Sequence, residues 1–128
     1  MTLAEATVLV VDDEPVLRFT FSILLKQAGA TVHSAENGAE ALDVLKREHI
    51  DIILTDKQMP VMDGLTLLHK ARESGMMMPA IFFVNGVASE SPAEMDRLHV
   101  VRTVTKPIHP SDLARVLEEA LGPLPSRG

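Results

Sequence analysis

Short apolar runs and helix-spaced apolar stripes alternate along the whole chain. Residues 8–11, Val-Leu-Val-Val, form a continuous run of the kind found in a strand buried on both faces. The run stops at Asp12-Asp13-Glu14-Pro15, and Pro15 suits the first turn of a helix, where its missing N–H costs nothing. Leu17, Phe21, Leu24 and Ala28 then recur at helical spacing, and Gly29 ends the element. A second strand over residues 31–35 leads to Asn37 as an N-cap, and Ala41, Leu42 and Leu45 give the next stripe. Residues 50–56 form the third strand. The loop 57–63 passes through Gly64 into a helix with Leu65, Leu68 and Ala71 on one face, closed by Gly75.

Residues 80–84 read as a fourth strand, broken by Asn85-Gly86. Ser91-Pro92-Ala93-Glu94 is a capping box with proline at the first helical position, and the short helix it opens has a thin stripe, Met95 and Leu98. Residues 100–105 form the fifth strand. Pro107 and Pro110 fix the next loop, and Ser111 caps a last helix with Leu113, Val116, Leu117, Ala120 and Leu121 inward. Strict β–α alternation predicts an α/β fold: a five-stranded parallel sheet, doubly wound, with right-handed crossovers. The expected domain covers residues 1–121, and residues 122–128 form a tail or linker, since their Gly and Pro residues cannot continue the helix.

Composition narrows the function. With 128 residues the chain fits one domain, able to bury about two-thirds of its unfolded surface without disulfides or a structural metal. A hydrophobic fraction of 46% and a charged fraction of 23% argue against disorder. The absence of cysteine excludes a disulfide framework and a cysteine zinc site, and is compatible with the cytosol. A net charge of −6 with no run of Lys and Arg argues against direct DNA or RNA binding. No apolar stretch reaches the roughly 20 residues of a membrane span. Residues 1–7 carry Glu5 and no basic residue, so they do not read as a signal peptide, and a cytoplasmic location is expected.

Ligands of open parallel sheets bind at the carboxyl ends of the strands. Here those ends carry Asp12-Asp13, Asp56 and Lys106. In the common order 2-1-3-4-5, strands one and three are neighbours, so the three carboxylates should converge. Two unit charges about 4 Å apart repel by roughly 4 kcal/mol at an effective dielectric near 20. A hard divalent cation is the natural counter-charge, and Mg2+ accepts one or two carboxylates plus waters and phosphate oxygens. Lys106 would add a second positive charge. A lone Asp at a strand end is usually a cap or turn residue; four such residues at adjacent ends are better explained by a site.

These residues resemble a known family. Val10-Val11-Asp12-Asp13-Glu14, then Asp56-Lys-Gln-Met-Pro60-Val-Met-Asp-Gly64, then Lys106-Pro107 are similar to the response-regulator receiver domains of two-component signalling, over residues 6–121. The resemblance implies a flavodoxin-like (βα)5 fold and a role for each matching residue. Asp56 would accept a phosphoryl group from a sensor histidine kinase or phosphotransfer protein. Asp13 and Asp56 would bind Mg2+, with the backbone carbonyl of Gln58 as a further ligand and Asp12 acting through water. Lys106 would pair with Asp56 and then with the phosphoryl group, and Pro60 and Gly64 would shape the loop. The domain would be no enzyme beyond loss of its own phosphate, and an output partner would use residues 92–121. No role is assigned to Lys57.

The switch positions depart from the family pattern. The usual Ser or Thr closing strand four is Val84, followed by Asn85, and the usual Tyr or Phe of strand five is Thr103. Asn85 is a candidate substitute donor; otherwise the relay is lost. Three rivals remain. A pseudo-receiver would use the fold as a phosphorylation-independent interaction module. An aspartate-nucleophile phosphatase would carry Asp-x-Asp, whereas Asp56-Lys57-Gln58 lacks the acid. A flavodoxin-like nucleotide binder needs a Gly- or Ser-rich first loop, and Asp12-Asp13-Glu14 would repel phosphate. The five histidines read as surface or helix-end residues, and Met76-Met77-Met78 as packing under a loop.

Overall fold

The computed structural model describes residues 2–84 and 91–121; Asn85, Gly86 and the 122–128 tail lie outside them. A 3-10 turn, Leu3–Glu5, precedes β1(Thr7–Val11), α1(Pro15–Gln27), β2(Thr31–Ala35), α2(Gly38–Arg47), β3(Ile52–Asp56), α3(Gly64–Glu73), β4(Ala80–Val84), α4(Pro92–Arg97), β5(Val100–Thr105) and α5(Pro110–Ala120). All five strands are parallel, in the order β2-β1-β3-β4-β5. The fold is therefore the doubly wound sheet that the alternating pattern predicts.

Period-two alternation in the central strands builds two cores. Leu9, Val11, Ile53, Phe82 and Val84 face α2, α3 and the end of α4, meeting Ala41, Leu45, Leu67, Leu68 and Leu98. Val8, Val10, Ile52, Leu54, Ile81 and Phe83 face α1 and α5, meeting Phe21, Leu25, Leu113, Val116 and Leu117. The rings of Phe21 and Phe83 lie 5.1 Å apart and tie α1 to β4. Full burial of each such side chain is worth about 1.5–3 kcal/mol, so these two layers hold the strand ends in register.

Several local expectations change. Ile50 is buried but lies outside β3, which begins at Ile52. Ala28 is exposed, and Leu25 supplies the buried contact of the last turn of α1, so the inward stripe is Phe21 and Leu25 flanked by half-buried Leu17 and Leu24. The N-cap of α5 is His109, not Ser111, because helical geometry starts at Pro110; its Nδ1 accepts from the Ser111 amide at 3.2 Å. Ser91 caps α4 by accepting from the Glu94 amide at 3.2 Å, but Glu94 does not complete the box. Its carboxylate turns to His69, 3.3 Å away. Met76 and Met78 pack against the core, while Met77 is exposed.

Candidate functional site

The sheet order brings the carboxyl ends of β1 and β3 side by side. Asp12 extends β1 by one residue, its amide donating to the Ala35 carbonyl at 3.2 Å. Asp56 is the last residue of β3. The carboxylates of Asp12, Asp13 and Asp56 each place an oxygen within 4.8 Å of the others. Asp12 is 1% exposed and Asp56 6%, while Asp13 is open to solvent. Lys106 follows β5 and is held by its amide, which donates to the Val84 carbonyl at 2.9 Å. Its Nζ reaches back across β4 to Asp56 Oδ2 at 2.9 Å and Asp12 Oδ2 at 3.3 Å. The four residues picked out at the strand ends thus share one pocket. The second contact of Lys106, to Asp12, was not expected.

Burial raises the Asp12 carboxyl above its ordinary range and the nearby Asp56 adds to this, while the Glu14 amide and Lys106 act in the opposite sense. Burial alone would lower the Lys106 ammonium; its bond to Asp56 and the charges of Asp12 and Asp56 outweigh that and raise it. One ammonium offsets one of three carboxylates. The donor set is all oxygen, closely spaced, open on the Asp13 side, and under-neutralised. It fits a hard divalent cation such as Mg2+ and offers nothing to a soft metal. At Gln58 the structure shows the amide donating to Asp56 Oδ1 at 3.4 Å.

Backbone bonds fix the loop after β3. The Lys57 amide donates to Phe83, and the Gly64 amide returns to the Lys57 carbonyl at 2.9 Å. A Cβ on Gly64 would lie 2.5 Å from the Asp56 carbonyl oxygen, so only glycine lets α3 start this close to the site. Asp63 caps α3, accepting from the Thr66 amide at 2.8 Å. Between them Pro60 accepts from the Met62 amide at 2.7 Å around Val61, whose φ is +70°. Thr55 Oγ1 donates to the Asp56 carbonyl at 2.8 Å.

At the described switch positions, Val84 has no donor and Thr103 no ring. Val84 is buried with the α2–α3 core, and Thr103 is half-buried opposite Phe82. Asn85 lies outside the described residues. Two features went unread in the sequence. Arg18 Nη1 donates to the Asp12 carbonyl at 2.6 Å. A cavity of about 290 Å3, lined by Glu14, Leu17, Phe21, Lys106, Pro107 and Ile108, opens beside the lysine. A lone Arg after an N1 proline gives no signal until the helix start is known.

A doubly wound sheet with an acidic, lysine-bridged pocket at the carboxyl ends of β1 and β3 defines the structural class. The sequence matches the response regulator receiver domain family over residues 8–118, and the chain belongs to that family. It is 36% identical over 120 residues to an uncharacterised 14.6 kDa protein of Leptolyngbya boryana, covering 92% of each chain. It is 40% identical over 87 residues to the sensor histidine kinase RcsC of Escherichia coli, spanning 68% of this chain but only 9% of that kinase. It is 32% identical to the transcriptional regulatory protein GlrR of Escherichia coli strain K12 over 91% of this chain and 26% of that protein. Among solved structures, chemotaxis protein CheY4 of Vibrio cholerae superposes with a TM-score of 0.83 at 29% identity, covering 90% of this chain and 98% of the other. A CheY-like receiver domain from Methanospirillum hungatei gives 0.84 at 25% identity, covering 96% and 98%. This is a receiver domain of two-component signalling. Among the described residues no helix is long and apolar enough to cross a membrane.

Proposed function

We propose that residues 1–121 act as a phospho-acceptor switch in the cytoplasm, taking a phosphoryl group on Asp56 from the phosphohistidine of a sensor histidine kinase or phosphotransfer protein. The observation that carries this reading is the convergence of three carboxylates within 4.8 Å around one ammonium, 2.9 Å from Asp56. The P–N bond of the donor breaks as a P–O bond to Asp56 forms. The electron pair returns to the imidazole nitrogen, leaving an acyl phosphate. Phosphoryl transfer asks mainly for positioning and charge neutralisation. Lys106 holds one Asp56 oxygen and stays cationic, so it can follow the charge onto the new phosphoryl oxygens. Asp12, Asp13, Asp56 and the Gln58 carbonyl would hold Mg2+, which supplies positive charge to the transferring oxygens when bound.

The domain acts on no outside substrate, and its output partner is expected over residues 92–121. The test is intact-mass analysis after incubation with acetyl phosphate. Wild type should gain one phosphoryl mass with Mg2+ and none with EDTA, and Asp56→Ala should gain none. A gain that survives Asp56→Ala would exclude this acceptor. Val84 and Thr103 favour a second reading, an interaction module that does not use phosphate, because valine has no donor and threonine lacks the usual ring. A wild type that stays unmodified under these conditions would select it.

A further inference from the structure

We infer that Arg18 is a positioning residue for the acidic pocket, setting the aim of Asp13 through the peptide that joins it to Asp12. This rests on the metal-binding reading above and deepens it. Arg18 stands one turn into α1, and helical side chains lean toward the helix N-terminus. Its guanidinium therefore runs back over Pro15 and Glu14 and meets the Asp12 carbonyl at 2.6 Å. The main chain between residues 12 and 18 is closed into a ring by this bond, alongside the Arg18 amide to Glu14 carbonyl bond of 3.0 Å.

Asp12 is then held at every polar atom. Its amide goes to Ala35, its carbonyl to Arg18, Oδ1 accepts from the Glu14 amide at 2.9 Å, and Oδ2 accepts from Lys106. Asp13 is the opposite case. It is exposed and makes no hydrogen bond or ion pair of its own among the described residues, yet its carboxylate sits within the cluster. An unanchored side chain keeps its aim only if its backbone is fixed. The carbonyl that Arg18 grips belongs to the peptide directly before Asp13, so Arg18 fixes the φ side of that residue. Its cation also lies at the end of β1, on the carbonyl of the residue whose carboxylate Lys106 holds. Groups one step behind metal ligands typically account for about 10- to 100-fold in affinity.

The test is a Mg2+ titration of the full chain followed by amide NMR, with thermal unfolding in EDTA as the control for fold. Arg18→Gln removes the charge and the reach. It should weaken Mg2+ binding about tenfold and spread the Asp13 amide signal, while unfolding in EDTA stays near wild type. Arg18→Lys keeps the charge on a shorter donor and should recover part of the affinity. If wild type binds no Mg2+, the metal reading itself fails. If wild type binds and Arg18→Gln binds equally well, this inference alone is overturned. A loss of affinity that only parallels a loss of metal-free stability would also overturn it, since that marks a general structural bond.

Discussion

Asp12 is buried, and desolvation, joined by the charge of Asp56, raises its carboxyl above the ordinary value. An acid whose folded pKa lies above its ordinary value of 3.8 contributes stability that is fully present below that pH and lost as pH rises through the raised value. Asp12→Asn imitates the neutral form. In EDTA its melting temperature should match wild type in acid and exceed it increasingly toward neutrality, and Mg2+ should reverse the order by stabilising only wild type. Calorimetry across pH checks this; a gap that shrinks with rising pH would contradict it. Val61 offers a second test. A β-branched residue at φ +70° is strained by about 1–3 kcal/mol, and its side chain is exposed. Val61→Gly should therefore stabilise the domain by about 1 kcal/mol after glycine's entropy cost, read from denaturant midpoints. The acidic residues and Lys106 were legible because strand ends follow from the apolar pattern and the sheet order from general topology. Arg18 and the His109 cap were not, because both depend on where a helix begins to within one residue.

Among the elements, α4 is the most weakly attached. It spans six residues, none of them buried, and sits on the molecule through Leu98 just beyond it and through α3. Arg72 of α3 donates to the Leu98 carbonyl and to the Met76 carbonyl, each at 2.8 Å, and His69 faces Glu94. Burial lowers the Arg72 guanidinium to about 10, and its Nη2 is buried with no partner, so this staple is held at a cost. Arg72→Met keeps the bulk but frees both carbonyls. The expected loss is about 1–2 kcal/mol, with faster amide exchange concentrated in residues 92–98; uniform acceleration across β1 and β3 would contradict a local staple. The thin stripe of Met95 and Leu98 foretold a short helix. The His69 contact of Glu94 could not be foretold, because a capping box and a contact to another helix use the same residue type.

At the scale of the molecule, the pocket lies at the carboxyl ends of the central strands β1 and β3, while the surface expected to meet an output partner lies along the edge strand β5 and α5. Coupling the two requires a group that senses the phosphoryl charge, and Val84, the last residue of β4, has no donor to do so. Val84→Thr would place a hydroxyl at the end of β4, beside Lys106. It should enlarge the phosphorylation-dependent shifts at residues 92–121 in amide NMR spectra; identical shifts in both proteins would mean the relay runs elsewhere. All of this presupposes that Asp56 carries the phosphoryl group as an acyl phosphate. Borohydride reduces that linkage and leaves homoserine at the acceptor position. After treatment with acetyl phosphate and Mg2+, peptide sequencing by mass spectrometry should find homoserine in place of Asp56 and aspartate intact at positions 12 and 13. Homoserine at another position, or at none, would contradict the account.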